Sequence, residues 1–459
     1  MIGLVFGLAG CATYVLAPMD GAALVAARSI ETLEPAHVRA SLAEIAPGVE
    51  WGGNAWDRLV LFAAARRYSP DVAAARLAVE TAVAAARAAR VAPAATLTLT
   101  SEYAVAATES SPWLFGAALD IPVDRGARRQ ARLTSADLAI ALARYDYADA
   151  LWRARMGVRR AVAERLIAER RMVAFQDLAD LRVRQQAAME RRLAAGEVSR
   201  AELERVRADG ADAVRLLLDA GAQARAASGA LAAAVGLAPV AFGSIAPSWV
   251  GFDTPVSDPG ADVTREQRLA AVLSRSDVLR AVAAYDQAEA DLKLETARQY
   301  PVLSVGPGYT WERGLVKLPL SVGLVLPPLD LNRAAIATAQ AHRAEAGRRL
   351  EAAVAGVEAE IDAALIETAA ARIALDRIRR TDLPAAARLA DQAERELGRG
   401  AIDRAEWAAA VVGARQVRTT ELDALARVHA ADAALEGALR RPLEGPETVV
   451  APSNSRTAP

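Results

Sequence analysis

The sequence predicts a mostly α protein with a small β part, built as two internal repeats of one structural unit. Three observations carry that reading. The punctuation of the chain occurs twice in register: Asp124 and Asp330 are 206 positions apart, and Gly196 and Gly400 are 204 apart. After the second pair, Gly196-Glu-Val-Ser-Arg-Ala-Glu-Leu203 echoes Gly400-Ala-Ile-Asp-Arg-Ala-Glu-Trp407. A duplication that keeps its spacing places two copies of one unit in equivalent positions. Next, Ala127 to Ala194 holds no proline and only Gly157, so its 68 residues read as one helix, about 100 Å long at 1.5 Å per residue. Finally, four runs of about ten residues alternate with period two, a pair in each repeat.

Composition agrees. The chain has 459 residues, 24% of them charged and 5% aromatic, which suits long Ala/Leu/Arg/Glu helices. Length alone suggests about three domains, a count the duplication replaces. The formal net charge of -1 gives no bulk attraction to nucleic acid. Cys11 is the single cysteine, so neither an internal disulfide nor a cysteine metal site is expected. His37, His342 and His429 are isolated, with no His-Glu-x-x-His spacing, and Gly306-Pro307-Gly308 is not followed by a helix as a phosphate loop requires. The chain reads as no enzyme, with no cofactor.

Taken in order, Ile2 to Leu8 form a short apolar stretch and Leu8-Ala9-Gly10-Cys11 follows, although no Lys or Arg precedes it. This resembles a bacterial lipobox, which implies a signal peptide over 1–10 and a lipid on Cys11. Residues 11–55 are a lead-in broken by Pro35, Pro47 and Gly52-Gly53. The first repeat spans 56–238. It opens with an Ala-rich helical stretch interrupted at Ser69-Pro70-Asp71, which reads as N-cap, proline at the first helical position and an acid next to it. A linker over 239–264 carries Pro239, Pro247, Pro255 and Pro259. The second repeat spans 265–440 and restarts at Ser276-Asp277 without the proline. Its long helix, from Arg333 to Leu397, contains Pro384, which should kink it or end a segment. The tail, 441–459, is rich in Pro, Ser, Thr and Glu and is expected to be disordered.

The strand runs set apolar residues against small or polar ones. From 316 to 326, Val316, Leu318, Leu320, Val322, Leu324 and Leu326 alternate with Lys317, Pro319, Ser321, Gly323 and Val325. Leu303, Val305, Pro307, Tyr309 and Trp311 alternate with Val302, Ser304, Gly306, Gly308 and Thr310. In the first repeat Leu97, Leu99, Tyr103 and Val105 oppose Thr96, Thr98, Thr100 and Glu102, and Trp113, Phe115, Ala117, Leu119 and Ile121 oppose Leu114, Gly116, Ala118 and Asp120. The pattern fits transmembrane barrel strands with aromatic residues near their ends. It fits equally a half-buried hairpin packed on helices. Downstream of residue 30 no apolar run approaches the ~20 residues of a spanning helix, so any crossing must use strands. Four strands cannot close such a barrel, and the membrane reading therefore requires several chains.

Strand pairs alternating with long helical hairpins, in two repeats behind a lipobox, resemble the TolC family of bacterial outer-membrane efflux proteins. The residues that carry the resemblance are Pro301-Val-Leu-Ser304, Gly323-Leu-Val-Leu-Pro-Pro-Leu-Asp330 and its counterpart Asp120-Ile-Pro-Val-Asp-Arg-Gly126. To these add Val235-Gly236-Leu237 and the stretch from Leu383-Pro384 through Gly400 to Glu406. The resemblance covers about 56 to 440. It implies a homotrimer whose twelve pooled strands form one outer-membrane barrel, continued into the periplasm by an α-barrel of helical hairpins. Leu318, Leu320, Val322 and Leu324 would then face lipid. The implied function is a passive gated duct of a tripartite efflux system, exporting small molecules with a periplasmic adaptor and an inner-membrane pump. Gly196 and Gly400 would mark the hairpin tips that meet the adaptor. Glu202 and Glu406 match the family's aperture carboxylates, with Arg200 and Arg404 flanking them as possible partners. The family's second acidic position is absent, since Arg205 and Ala409 stand there. Ser199 and Asp403 also read as plain N-caps of the returning helices, and the charged residues as solvated helix faces. Two rival readings are a type I protein-secretion duct and a lipid-anchored periplasmic coiled-coil scaffold.

Overall fold

A computed structural model describes residues 14–105, 111–124, 126–242, 245–255, 263–312, 314–443 and 445. Cys11 and the apolar stretch before it lie outside the described residues, as does nearly all of the 441–459 tail.

The lead-in is more structured than its broken sequence suggests. Helices α1 (Gly21–Ile30) and α2 (Pro35–Ile45) form within it. Val38, Leu42 and Ile45 recur at helical spacing on α2 and are buried against α3 (Arg58–Tyr68). Asp57 caps α3 by accepting from Val60 N–H at 2.9 Å. Helix α4 (Pro70–Arg90) follows at once. Ser69 stands at the N-cap position as expected but makes no side-chain cap bond, and Pro70 follows at the first helical position.

Strands β1 (Thr96–Tyr103) and β2 (Trp113–Pro122) form the first hairpin. Helix α5 runs unbroken from Ala127 to Ala194, the single 68-residue helix read from the sequence, and α6 (Arg200–Val235) returns along it. The linker holds a short helix α7 (Pro239–Phe242). It then crosses the surface with a bridge between Trp56 and Pro247 and buries Phe252, so Pro239 and Pro247 shape a packed strap.

The second repeat has the same order. Helix α8 (Arg265–Ser274) leads into α9 (Ser276–Ala297), where Arg275 holds the cap position and Ser276 is the first helical residue. Strand β3 (Val302–Glu312) pairs with two short strands, β4 (Leu315–Lys317) and β5 (Leu320–Val325). The single run expected over 316–326 is therefore split, and Leu318 lies in the break. The cause is Pro319, which cannot donate to the ladder; its carbonyl still accepts from Gly308 N–H at 2.8 Å. Helix α10 (Arg333–Arg377) passes through a π-helical turn, Ile378–Asp382, into α11 (Leu383–Gly398). Pro384 sits in the first turn of α11, so the helix absorbs its missing donor in a π-turn rather than breaking. Helix α12 (Arg404–Leu439) closes the repeat and, at 36 residues, equals α6 in length.

The core lies midway along the helices. Phe62, Trp152, Val162, Leu231, Val235, Leu425 and Val428 are buried and belong to one cluster. A smaller cluster joins Val272, Val278, Val357, Ile361 and Leu435. The two helices α6 and α12 end alike, in left-handed residues Gly236 (φ 93) and Arg440 (φ 47). At Gly236 an added Cβ would stand 2.5 Å from the Tyr68 carbonyl oxygen and 2.7 Å from Ser69 Cα. Gly236→Ala is expected to destabilise the fold by at least the 1–3 kcal/mol, roughly, of a strained left-handed residue. Chemical denaturation followed by tryptophan fluorescence reads this, since Trp152 shares the cluster.

Candidate functional site

The sheet runs β1-β2-β3-β4, with β5 also on β3, all antiparallel. It is thus four strands wide, its last strand broken in two. Register places Thr100, Gly116, Thr310 and Lys317 in one row and Phe115, Trp311 and Val316 in the next. Alternation then sorts the faces. One is small and polar: a side chain at Gly306 would meet Ser321 Oγ, and one at Gly323 would meet Ser304 Oγ. The other is apolar and open to the outside, with Leu320 70%, Val322 66% and Leu324 56% exposed. Leu99, Phe115 and Tyr309 continue it. At the end far from the helices, Tyr103, Trp113, Phe115 and Trp311 form a chain of ring contacts with centroids 4.8, 5.6 and 6.1 Å apart.

Polar side chains fix the junction between sheet and helices. Arg132 pairs with Asp124 and donates to the Ala89 carbonyl at 3.0 Å, tying the end of α4 to α5. Arg128 does the same for α9 through the Ala297 carbonyl at 3.0 Å. The duplicated Asp124 and Asp330 have diverged in task. Asp330 accepts from the Asn332 and Ala334 N–H groups at 3.0 and 3.3 Å and so caps α10.

Among the described residues, the sheet and the layer of long helices end on the same two flanks. In the sheet, β1 and the β4/β5 strand each pair on one side. Near the sheet the helices order as α4, α5, α9, α10, and farther away as α6, α5, α12, then α10 and α11. So β1, α4 and α6 lie on one flank, and β4/β5, α10 and α11 on the other. Large apolar side chains stand uncovered on both: Leu77, Val214 and Leu218 on the first, Ile366, Ile373 and Leu389 on the second.

At the far ends Gly196 and Gly400 take positive φ, 76 and 73, in the two hairpin turns. Each returning helix opens on a capping box. Ser199 Oγ accepts from Glu202 N–H at 3.2 Å, while the Glu202 carboxylate accepts from Ser199 N–H at 2.7 Å. Asp403 accepts from Ala405 and Glu406 N–H at 2.7 and 2.8 Å, and Glu406 accepts in turn from Asp403 N–H at 3.4 Å. Ser199 and Asp403 are N-caps, and the two glutamates are tied to them. The Ser199 backbone N–H and then its hydroxyl hold the Glu202 carboxyl below its ordinary range. Because the folded value is lowered, this cap contributes above the usual glutamate range and is lost as pH falls through the lowered value. Glu202→Gln should therefore remove the acid-side weakening of that turn, read as hydrogen exchange at residues 196–203 between about pH 3 and 6.

Arg200 and Arg404 form no ion pair with Glu202 or Glu406 among the described residues. The charged pairs that do form near the tips are Arg207 with Glu190 and Glu204, at 3.1 and 2.8 Å, and Arg192 with Glu197 at 3.2 Å. Sequence reasoning missed the seam between the two hairpins. There Arg171 pairs with Asp423, and Arg415 lies 3.6 Å from Asp177. Nothing local marks these residues, since they become neighbours only when α5 and α12 pack. Among the described residues no three His, Cys, Asp or Glu side chains converge as a metal site. No helix among them is long and apolar enough to cross a membrane.

Comparison with known proteins fits this geometry. Residues 61–237 match the outer membrane efflux protein family. Over 220 residues the chain is 29% identical to the cobalt-zinc-cadmium resistance protein CzcC of Cupriavidus metallidurans, covering 47% of this chain and 51% of that one. The chain thus spans about half the length of this curated relative. A membrane protein from Pseudomonas aeruginosa superposes with a TM-score of 0.71 at 19% identity, over 86% of this chain and 95% of the other. The outer membrane protein VceC of Vibrio cholerae gives 0.69 at 18%, over 84% and 96%. CusC, whose structures concern transmembrane channel formation, gives 0.69 at 16%, over 86% and 96%. These likenesses show the fold: long helical hairpins on a small antiparallel sheet, as the sequence predicts.

Proposed function

We propose that this member of the outer membrane efflux protein family is the outer-membrane channel of a tripartite efflux system, a passive gated duct for small molecules. One observation carries the reading: sheet and helices leave open edges on the same two flanks. A head-to-tail contact between unlike flanks generates a ring when its rotation closes, and closure removes strand edges that otherwise invite aggregation. Three chains pool twelve strands into one barrel. Its apolar face, including Leu320, Val322 and Leu324, meets outer-membrane lipid, and its small, polar face lines the pore. A coiled-coil scaffold would have no use for that exposed apolar face.

Each chain supplies two equivalent units, residues 56–238 and 265–440. The helices extend the duct into the periplasm, with the turns at Gly196 and Gly400 presented to an adaptor protein that joins the channel to an inner-membrane pump. Cys11 carries the lipid anchor. At the aperture Glu202 and Glu406 hold their own turns and give the ring its negative charge, while Arg200 and Arg404 remain available to neighbouring chains. Glu406→Gln is expected to lower cation preference and block by multivalent cations in planar-bilayer currents; unchanged currents would remove that role. The reading itself is tested by electron microscopy of detergent-extracted membranes. Hollow three-fold particles on the order of 100 Å or more in length are expected from the helix rise, whereas monomers or solid rods overturn it.

A further inference from the structure

The two repeats differ in one uncovered surface. Helices α3 and α8 are counterparts, each leading directly into the helix that feeds its strand pair, and Phe62 and Leu269 hold equivalent places 207 residues apart. Phe62 is 1% exposed, in a cluster with Val38, Leu42 and Ile45 of α2. Leu269 is 59% exposed and Leu273 equally so. The chain has one lead-in for two repeats, and α2 is spent on the first.

The same chain also carries a helix with nothing to cover. Every residue of α1 is exposed although Leu24, Val25 and Ile30 are apolar. Its packing partner is the four-residue α7, and Arg28 Nη2 tethers it to the Gly236 carbonyl at 2.9 Å. Ten residues are too few for an isolated helix to hold in water. Position supplies the match. Gly236 ends α6, so α1 stands on the α4/α6 flank, while α8 packs on α9, α10 and α12 at the opposite flank. A ring that joins those flanks brings α1 of one chain to α8 of the next.

We propose that α1 is an exchanged arm: it crosses to the neighbouring copy of this chain and covers Leu269 and Leu273 of its α8, supplying the second repeat with the cover that α2 gives the first. This rests on the ring reading above. Both helices have ten residues, so they can lie side by side along their full length. Lipid is the other apolar surface α1 could seek, and distance argues against it. Gly236 abuts Tyr68 and Ser69, and the 21 residues of α4, about 31 Å of helix, separate that point from the strands.

The test uses two differently tagged full-length chains, co-expressed, one carrying Val25→Cys and the other Leu273→Cys. Mild oxidation is expected to give a covalent dimer bearing both tags, reversed by reductant and absent when either substitution is paired with the unsubstituted chain. No cross-link from particles that remain three-fold by microscopy overturns the exchanged arm while leaving the ring intact. Absence of the three-fold particle in the unsubstituted chain overturns the ring, and the arm with it. Quenching of a fluorophore on Val25→Cys by brominated lipid also overturns the arm, since it places α1 on the membrane.

Discussion

Leu320→Arg or Leu324→Asp is expected to abolish assembly in the outer membrane while leaving the helical part folded. Both side chains project from β5 on the exposed apolar face, opposite the glycines and serines of the small, polar face. An arginine on the lipid face near the midplane costs roughly 2–4 kcal/mol and an aspartate less, and the proposed three-fold barrel would repeat that cost in every chain. Heat-modifiable mobility on gels and membrane fractionation would show it, with helical circular dichroism of the extracted chain unchanged. The control on the small, polar face is Ser321→Asp. It adds a charge on the Gly306 and Gly323 side of the sheet, away from lipid, and should assemble normally.

Glu436→Ala is expected to cost about 3–5 kcal/mol of stability, the range found when one partner of a buried ion pair is removed. Glu436 is fully buried on α12 and faces two arginines of α5 that are almost as inaccessible. Arg155 pairs with one carboxylate oxygen, and Arg159 lies 3.2 Å from the other. Removing the carboxylate takes that counter-charge away from two guanidinium groups in the core. The contact joins α5 of the first repeat to α12 of the second, so the loss should appear as a lower midpoint for the whole helical part. Glu367→Ala is the comparison: its pair with Arg427 is exposed, where screening by water leaves little net stabilisation. Equal losses from the two variants would refute the claim that burial sets the cost.

The helical hairpins were legible from local chemistry. A proline-free run from Ala127 to Ala194, two glycines at matching turns, and Ser199 and Asp403 ahead of Glu202 and Glu406 specify helix, turn and cap within a few residues of one another. Strand alternation was equally local, and it failed only at Pro319, where one missing N–H divided a run that its apolar pattern had kept whole. The candidate aperture was less legible. The sequence places Arg200 near Glu202 and Arg404 near Glu406, but helix geometry turns each carboxylate back to its own cap.

By itself, the sequence determined the duplicated punctuation, the order of the long helices and strand pairs within each repeat, and which strand residues share a face, because periodicity and punctuation act over a few residues. Tertiary structure alone decided which helix faces meet. It buried Glu436 between Arg155 and Arg159, set Arg171 against Asp423, gave Asp124 and Asp330 different tasks, and gathered the open edges of sheet and helices onto two common flanks. The physical reason lies in α5, which packs on α4 and α9 near the sheet and on α6 and α12 farther away. A helix that changes partners along its length carries no single apolar stripe, so its contacts exist only once the neighbouring helices are in place.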